Sequence, residues 1–379
     1  MDPIKMVDLK KQYDFIKDEI KDVMQEVLNS TSFINGPLVH QFQKDLESYL
    51  DVKHVIPCAN GTDALQIALM GLKLEPGDEV ITADFTFAST VEVISLLKLK
   101  PVLVDVNPKT FNIDPAAIER AINSKTKAII PVHLFGQSAD MEQILALAKK
   151  NNLFVVEDNA QAIGADYIFS DGTKVKTGTL GNISATSFFP SKNLGAYGDG
   201  GAIITNDDDL AHFIRGIVNH GMYKRYYHDE VGVNSRLDSL QAAVLKVKLK
   251  YLDFYNERRK EAAIFYTTLL KDHPKIITPF RKRNCNSHVF HQYTLRILKS
   301  NRDLLVDYLN AHKIPCGIYY PIPLHKQKAY KSYKIDSSSF IVSKQLVKEV
   351  ISLPMHSELT FDQIEYISKT IIRFFDKSK

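Results

Sequence analysis

Val52-Lys-His-Val-Ile-Pro-Cys58 is a short apolar run, and Ala59-Asn-Gly-Thr-Asp63 after it opens a helical pattern that lasts to Leu72. An apolar run, a turn and a helix make one beat, and the beat repeats. Glu79 to Ala83 leads into a helical stretch from Ala88 to Leu97, and Lys100 to Val106 into a helix after Asp114-Pro115 that carries Ile118 and Ile122. Lys127 to Leu134 precedes a helix from Ala139 to Lys150, and Leu153 to Glu157 is a fifth run. This alternation predicts crossover units, a mostly parallel sheet and helices on both faces. Ile183 to Phe189 and Gly201 to Thr205 read as two further strands without a full helix between them. The expected sheet therefore has about seven strands, one of them antiparallel.

Outward from this rhythm the pattern changes on both sides. The first fifty residues read as two helices, Lys17 to Leu28 and Leu38 to Leu50, parted by the breaker Asn35-Gly-Pro37. Downstream come a helix from Asp209 to Val218 and a long one from Leu237 to about Glu261, which would bridge to a second domain. The remainder predicts a strand at His291 to Ile297, a helix at Arg302 to His312, a strand near Gly317 to Tyr320 and two closing helices. A chain of 379 residues exceeds the size at which one core stops growing. The expected division is a large α/β domain over residues 1–250, with its N-terminal helical segment, and a smaller C-terminal α+β domain over 251–379.

Composition narrows the function classes. Hydrophobic content of 45% with 24% charged residues is that of a soluble globular protein. Net charge is +4, from 48 basic minus 44 acidic residues, too small an excess to imply nucleic acid. Two basic clusters stand out, Met222-Tyr-Lys-Arg-Tyr-Tyr-His228 and Phe280-Arg-Lys-Arg283. The apolar runs are too short to span a bilayer, and the N-terminus lacks a basic-then-apolar signal, so the cytoplasm is expected. Three widely spaced cysteines, Cys58, Cys285 and Cys316, argue against a disulfide framework and against a zinc site.

In an open parallel sheet, ligands sit outside the carboxyl ends of the strands, so polar residues there are the candidates. The fifth run ends at Asp158, followed by Asn159-Ala-Gln161; such an acid is a helix cap or a catalytic partner. The first run ends at Cys58-Ala-Asn-Gly-Thr62, where a helix start offers backbone N–H groups, a glycine and a hydroxyl to a phosphate. The third candidate is Thr186-Ser-Phe-Phe-Pro-Ser-Lys-Asn-Leu-Gly-Ala-Tyr-Gly-Asp-Gly-Gly201. It breaks at Pro190 and delivers Lys192 followed by four glycines, which is either a tight surface turn or backbone making room for a bulky ligand. Pyridoxal 5′-phosphate asks for all three features: a lysine for its aldehyde, a carboxylate for its ring nitrogen and a seat for its phosphate. The released lysine is then placed as the general base for a 1,3-proton shift. Phe85 or Phe87, after the second run, would cover the ring, unless either belongs to the core.

Four segments carry a resemblance to a known family: Cys-Ala-Asn-Gly-Thr-Asp-Ala-Leu-Gln (58–66), Glu-Asp-Asn-Ala-Gln-Ala (157–162), Ser-Phe-Phe-Pro-Ser-Lys-Asn-Leu-Gly (187–195) and Gly-Val-Asn-Ser-Arg-Leu-Asp (232–238). The chain resembles the DegT/DnrJ/EryC1/StrS family of pyridoxal-phosphate nucleotide-sugar aminotransferases of fold type I, from about Val7 to the C-terminus. The resemblance implies Lys192 as the cofactor lysine, Asp158 as the ring-nitrogen partner and Gln161 facing the ring hydroxyl. It implies Gly61, Thr62 and Ser187 around the phosphate and Phe87 on the ring, with Phe85 left to the core. It further implies a homodimer with shared active sites, in which Asn234 reaches the phosphate of a second copy. Arg236 would lie near the substrate or the donor's carboxylate, or else pair locally with Asp238. A sugar dehydratase of the same fold would carry histidine where Lys192 stands. A desulfurase-like lyase would want its cysteine on a mobile loop, not at a strand end as Cys58 is.

Within the family, the chain is most similar to aminotransferases that act on UDP-linked 2-acetamido-2-deoxy-3-keto-glucuronic acid, over Asn60-Gly-Thr-Asp63, Arg225-Tyr-Tyr-His228, Val231 to Arg236 and Tyr320-Pro-Ile-Pro-Leu324. That resemblance implies transfer from L-glutamate to the C3 keto group of a nucleotide sugar, for a cell-surface polysaccharide such as lipopolysaccharide O-antigen. It departs at Tyr319-Tyr320-Pro321, where those enzymes often have His-Tyr-Pro. A uronate would want a cation such as His325, Lys326 or Arg236. A dTDP-linked 3-keto-6-deoxyhexose would want the neutral lining of Tyr319 and Tyr320. A 4-keto sugar remains a third acceptor, and a regulatory protein that binds the cofactor without turnover a reading of another class.

Overall fold

The structure is a computed structural model that describes residues 2–281, 288–298 and 302–377. Cys285, Lys282 and Arg283 lie outside the described residues. Two helices come first, α1 (Leu9–Ser30) and α2 (Pro37–Leu50). Asp8 caps α1 by accepting the Lys11 N–H, and Pro37 opens α2 where its missing N–H has no intrahelical use. The repeating beats follow as β1 (His54–Cys58), α3 (Gly61–Gly71), β2 (Glu79–Ala83), α4 (Ser89–Leu96), β3 (Lys100–Val104), α5 (Pro115–Ala121), β4 (Thr126–Ile130), α6 (Met141–Asn151) and β5 (Phe154–Asp158). Asn60 and Asp114 accept first-turn N–H groups of α3 and α5, which marks each helix start in the sequence.

A small hairpin, β6 (Asp166–Ile168) and β7 (Lys174–Lys176), separates β5 from β8 (Ile183–Ser187) and β9 (Gly201–Thr205). Then come α7 (Asp208–Ile217), a second hairpin of β10 (Met222–Lys224) and β11 (Tyr227–His228), and α8 (Ser239–Leu249). Seven strands form one sheet in the order β1-β9-β8-β5-β4-β2-β3. Strand β9 runs antiparallel to both neighbours and the other pairs are parallel, as the spacing predicted. Strands β2 and β9 are buried end to end, which is why they read as continuous apolar runs. Helices α3, α4 and α7 cover one face with Leu65, Ala68, Ile94 and Ile214, while α5 and α6 cover the other with Ile118, Met141 and Ile144. This is the α/β architecture of fold type I.

The C-terminal part comprises α9 (Leu252–Leu270), β12 (Ile276–Ile277), β13 (Tyr293–Ile297), α10 (Arg302–Ala311), α11 (Ile341–Glu349), β14 (Val350–Leu353) and α12 (Phe361–Lys377). Its three strands form an antiparallel sheet, β12-β13-β14, over a core of Tyr266, Tyr293, Leu305, Ile351 and Ile367. Three expectations need correction. The bridging helix is two helices, because Lys250 and Tyr251 bond three residues back and tighten the end of α8 before α9 sets off. The strand near Gly317 is a single bridge to Ser352. A strand, β14, stands between the closing helices; no glycine or proline separates Glu349 from Val350, so only pairing with β13 draws the chain out of the helix. Among the described residues no helix is long and apolar enough to cross a membrane.

Candidate active site

A cavity of about 530 Å³ opens at the carboxyl ends of the central strands. Four segments at strand ends reach it: Asn60 to Thr62 after β1, Thr86 to Ser89 after β2, Asp158 to Gln161 at the end of β5, and Ser187 to Lys192 at the end of β8. Gly61, Thr62, Phe87, Asp158, Gln161, Ser187, Lys192, Tyr319 and Tyr320 all line it. These nine come from five separate stretches of chain, and the sheet order brings them together.

The wall at α3 is a helix N-terminus. The first-turn N–H groups of Gly61 and Thr62 have no intrahelical acceptors, and the helix dipole favours an anion there. Thr62 Oγ1 lies 2.8 Å from Ser89 Oγ, which holds a second hydroxyl beside the first. A Cβ on Gly61 would stand 2.6 Å from Ser187 Cβ, so the glycine lets the α3 start lie against the end of β8. The cradle is built for a group carrying negative oxygens.

Asp158 is buried at the cavity floor, where its carboxylate accepts from Thr90 Oγ1 at 2.8 Å and from the Ala160 N–H at 3.2 Å. Burial pushes its carboxyl above the ordinary range, while Thr90, the Ala160 N–H and the charge of Lys192 pull the other way. Beneath it, Glu157 is fully buried. Its Oε1 accepts from Leu180 and Gly181 N–H groups at 2.7 Å each, and its Oε2 from Gly178 N–H at 2.8 Å. His133 Nδ1 accepts the Ala139 N–H, so its Nε2–H donates to Glu157 Oε2 at 2.8 Å. The end of β5 is thus locked from below, and Asp158 inherits that rigidity.

Lys192 sits on the opposite wall. Burial lowers its ammonium to about 8, with Asp158 opposing the shift, so much of the amine is neutral near that pH. Its loop is anchored on three sides. Asn193 Nδ2 donates to Asn256 Oδ1 and to Val289 O, Tyr197 N–H donates to Gln241, and the buried Lys248 donates to Gly195 O. Gln161 Oε1 accepts the Phe135 N–H at 2.7 Å and its Nε2 donates to Tyr320 Oη at 3.1 Å. Phe87 presents a ring that is 55% exposed, 6.1 Å from Tyr320, whereas Phe85 is buried against Phe111 and Tyr320.

Three expected site residues do not line the cavity. Asn234 is exposed and Arg236 half-buried on the loop before α8. Between them, Ser235 Oγ donates to Asp63 and accepts the Ala59 N–H, which ties that loop to the α3 start. The His325 side chain is buried against Asp84. Conversely, sequence reading missed Phe135, in the segment after β4, His291 and Gln292, from the C-terminal part, and Thr90 beneath the cavity. His291 is buried with Nδ1 unpartnered among the described residues; burial, then the charges of Lys192 and Arg259, hold its ring well below the usual range and neutral. Nothing local to Phe290-His291 in the sequence signals this position.

The set fits pyridoxal 5′-phosphate: an anion cradle, a buried carboxylate for a ring nitrogen, a lysine with a depressed ammonium and an exposed ring. Orphaned polar atoms at Thr86 Oγ1 and His291 Nδ1 belong to residues on the same cavity wall.

The DegT/DnrJ/EryC1/StrS aminotransferase family matches residues 14–372. The chain is 48% identical to a pleiotropic regulatory protein of Geobacillus stearothermophilus, covering 98% of both chains. It is 46% identical to the UDP-2-acetamido-2-deoxy-3-oxo-D-glucuronate aminotransferase of Pseudomonas aeruginosa, covering 96% of this chain and 98% of that one. Further relatives are named for dTDP-linked amino sugars. A crystal structure of a DegT/DnrJ/EryC1/StrS aminotransferase from Brucella abortus superposes with a TM-score of 0.93 at 40% identity, covering 98% of this chain and 99% of that one. The chain belongs to this aminotransferase family.

Proposed function

We propose that this nucleotide-sugar aminotransferase moves an amino group from L-glutamate to the C3 keto carbon of a UDP-linked sugar of the 2-acetamido-2-deoxy-3-oxo-glucuronate type. The observation that carries the reading is one cavity holding a buried carboxylate, a lysine with a depressed ammonium and an anion cradle, in a chain 46% identical to an aminotransferase named for that sugar. Its cofactor is pyridoxal 5′-phosphate, which when bound supplies an aldehyde to carry the amino group and a ring to take up electrons. The first turn of α3, with Thr62 and Ser187, holds the phosphate. Asp158 keeps a proton on the ring nitrogen, and Phe87 covers one ring face. Gln161 faces the ring hydroxyl. Lys192 Nζ takes the α-proton of glutamate and returns a proton to the acceptor carbon, for which an amine lowered to about 8 is suited. Phe135 and Tyr320 keep water from that wall.

In this reading Tyr319 and Tyr320 line the sugar and Arg236 meets a carboxylate of sugar or donor. The domain boundary falls near Lys250, where α8 gives way to α9. A cytoplasmic homodimer completes the site with Asn234 of a second copy, a role that its exposure suits. Mixing a Lys192→Ala protein with an Asn234→Ala protein is then expected to regain activity through hybrid sites; mixtures that stay dead count against sharing.

The aromatic lining at Tyr319 and Tyr320 favours a second acceptor, a dTDP-linked 3-keto-6-deoxyhexose. The pure protein, loaded with cofactor and glutamate, would be offered UDP- and dTDP-linked 3-keto and 4-keto sugars and the products weighed by mass spectrometry. An aminated UDP sugar supports the first reading and an aminated dTDP sugar the second. A spectrum that glutamate leaves unchanged sinks both and favours a cofactor-binding regulator.

A further inference from the structure

Asp84 is the residue after β2, and both its carboxylate oxygens point away from the cofactor cradle. Its Oδ1 accepts the His325 backbone N–H at 2.8 Å, and its Oδ2 lies 2.8 Å from His325 Nδ1. The Asp84 carbonyl also accepts the Leu324 N–H at 3.0 Å, while its own N–H donates to Val104 O in the edge of the sheet. One residue thus holds three groups of the 324–325 turn, with only 0% and 1% of the two side chains exposed. The imidazole stacks on Phe340 at 4.5 Å and 12°, and its far nitrogen, Nε2, has no partner among the described residues. The ring is therefore used at Nδ1 alone.

The pair stands where two cavity walls meet. Two and three residues after Asp84 come Thr86 and Phe87; a few residues before His325 come Tyr319 and Tyr320; all four line the cavity. Phe87 and Phe85 both face the Tyr320 ring, at 6.1 and 6.0 Å. No regular element spans the 319–325 segment, so its distance from the β2 loop depends on these few ties, of which the Asp84 carboxylate makes two and its carbonyl one. Leu324, Tyr330 and Phe340 pack on Val91 and Leu103 behind the pair, which keeps it dry and its geometry stiff.

We infer that Asp84 and His325 are a positioning pair that sets the wall formed by Tyr319 and Tyr320 against Phe87, and so serves the amino acceptor rather than the amino donor. The inference rests on the acceptor being a nucleotide sugar, as proposed above. Asp158 ends β5 and Lys192 lies on the loop after β8, each with its own anchors, so loss of the pair leaves the glutamate half-reaction standing. A displaced wall of about 1 Å costs on the order of 100-fold in a step that needs alignment.

The test uses the protein loaded with pyridoxal phosphate, and follows each half-reaction separately by its change in visible absorbance. The acceptor is the keto sugar that the wild type consumes. Asp84→Ala and His325→Leu are expected to keep the glutamate step within about twofold while kcat/KM for the sugar falls about 10- to 100-fold, mostly in KM. His325→Asn, whose amide can still donate to Asp84, is expected to recover most of that loss. An equal fall in both half-reactions, or an unchanged sugar step in either variant, overturns the pair's role. Failure of the wild type to react with glutamate would instead strike the proposed function; His325→Leu keeps the test alive should Asp84→Ala not fold.

Discussion

Gly61→Ala is the substitution on which the structure puts the clearest number. A methyl there would lie 2.6 Å from Ser187 Cβ, 3.1 Å from Ser187 Oγ and 3.2 Å from Ser187 Cα. Carbon atoms in contact prefer about 3.5–4.0 Å, so the α3 start and the end of β8 must part by about 1 Å. Neither side yields easily. Asn60 caps α3 through the Asp63 N–H, and Ser187 closes a strand paired with Gly201. Overpacking of this kind costs about 1–3 kcal/mol. The separated groups are the ones assigned to the cofactor phosphate, so part of the cost appears in binding, and about 1.4 kcal/mol of it raises the Kd tenfold. The assay is titration of cofactor-free protein with pyridoxal phosphate, followed by visible absorbance, beside a thermal melt of the same samples. The expected result is a Kd at least about tenfold higher and a lower melting temperature. A variant that melts early yet binds normally would show that the α3 start is not the phosphate seat. One that does neither refutes the packing argument.

Three further outcomes are expected. Asp158→Asn keeps an acceptor for Thr90 and folds, but cannot hold a proton on the ring nitrogen; kcat falls at least about 100-fold with little change in melting temperature, and a fall under tenfold would remove Asp158 from the mechanism. Glu157→Ala strands the N–H groups of Gly178, Leu180 and Gly181 together with His133, a loss of at least about 3 kcal/mol readable by urea denaturation. Lys248 is buried, and burial lowers its ammonium from 10.5 to about 7. Between those values the unfolded chain binds a proton that the folded chain does not, so its contribution to stability rises with pH, by up to about 1.4 kcal/mol per unit. Denaturation midpoints of the wild type should therefore climb relative to Lys248→Met from pH 7 to 9, and parallel curves would mean that the buried amine stays charged.

Much of the site was legible because its signals are local. Asn60, Gly61 and Thr62 combine a cap, a bare Cα and a hydroxyl at one helix start, and Asp158 closes a run of buried β-branched residues. Lys192 follows a proline break in a glycine-rich loop, and the family segments assign it a role. Other readings had equally good local grounds and a different outcome. His325 was expected near the sugar as a cation, yet its side chain is spent on Asp84, 241 positions away in the chain. His291 and Gln292 reach the cavity only after the C-terminal part has packed against the sheet.

The sequence by itself determined the rhythm of strands and helices, the single antiparallel strand and the residues at the strand ends. Apolar periodicity, caps and breakers act over a few residues, and Pro190 with the glycines of the link between β8 and β9 leaves no helical pattern for a crossover. Tertiary structure alone decided which of those ends meet, and which polar groups behind them are consumed in support. Glu157 collecting three backbone N–H groups and His133, or β14 extended only because β13 lies beside it, depends on partners far away in the chain. A buried hydrogen bond is satisfied by whatever the fold brings within about 3 Å, and no stretch of sequence records that distance.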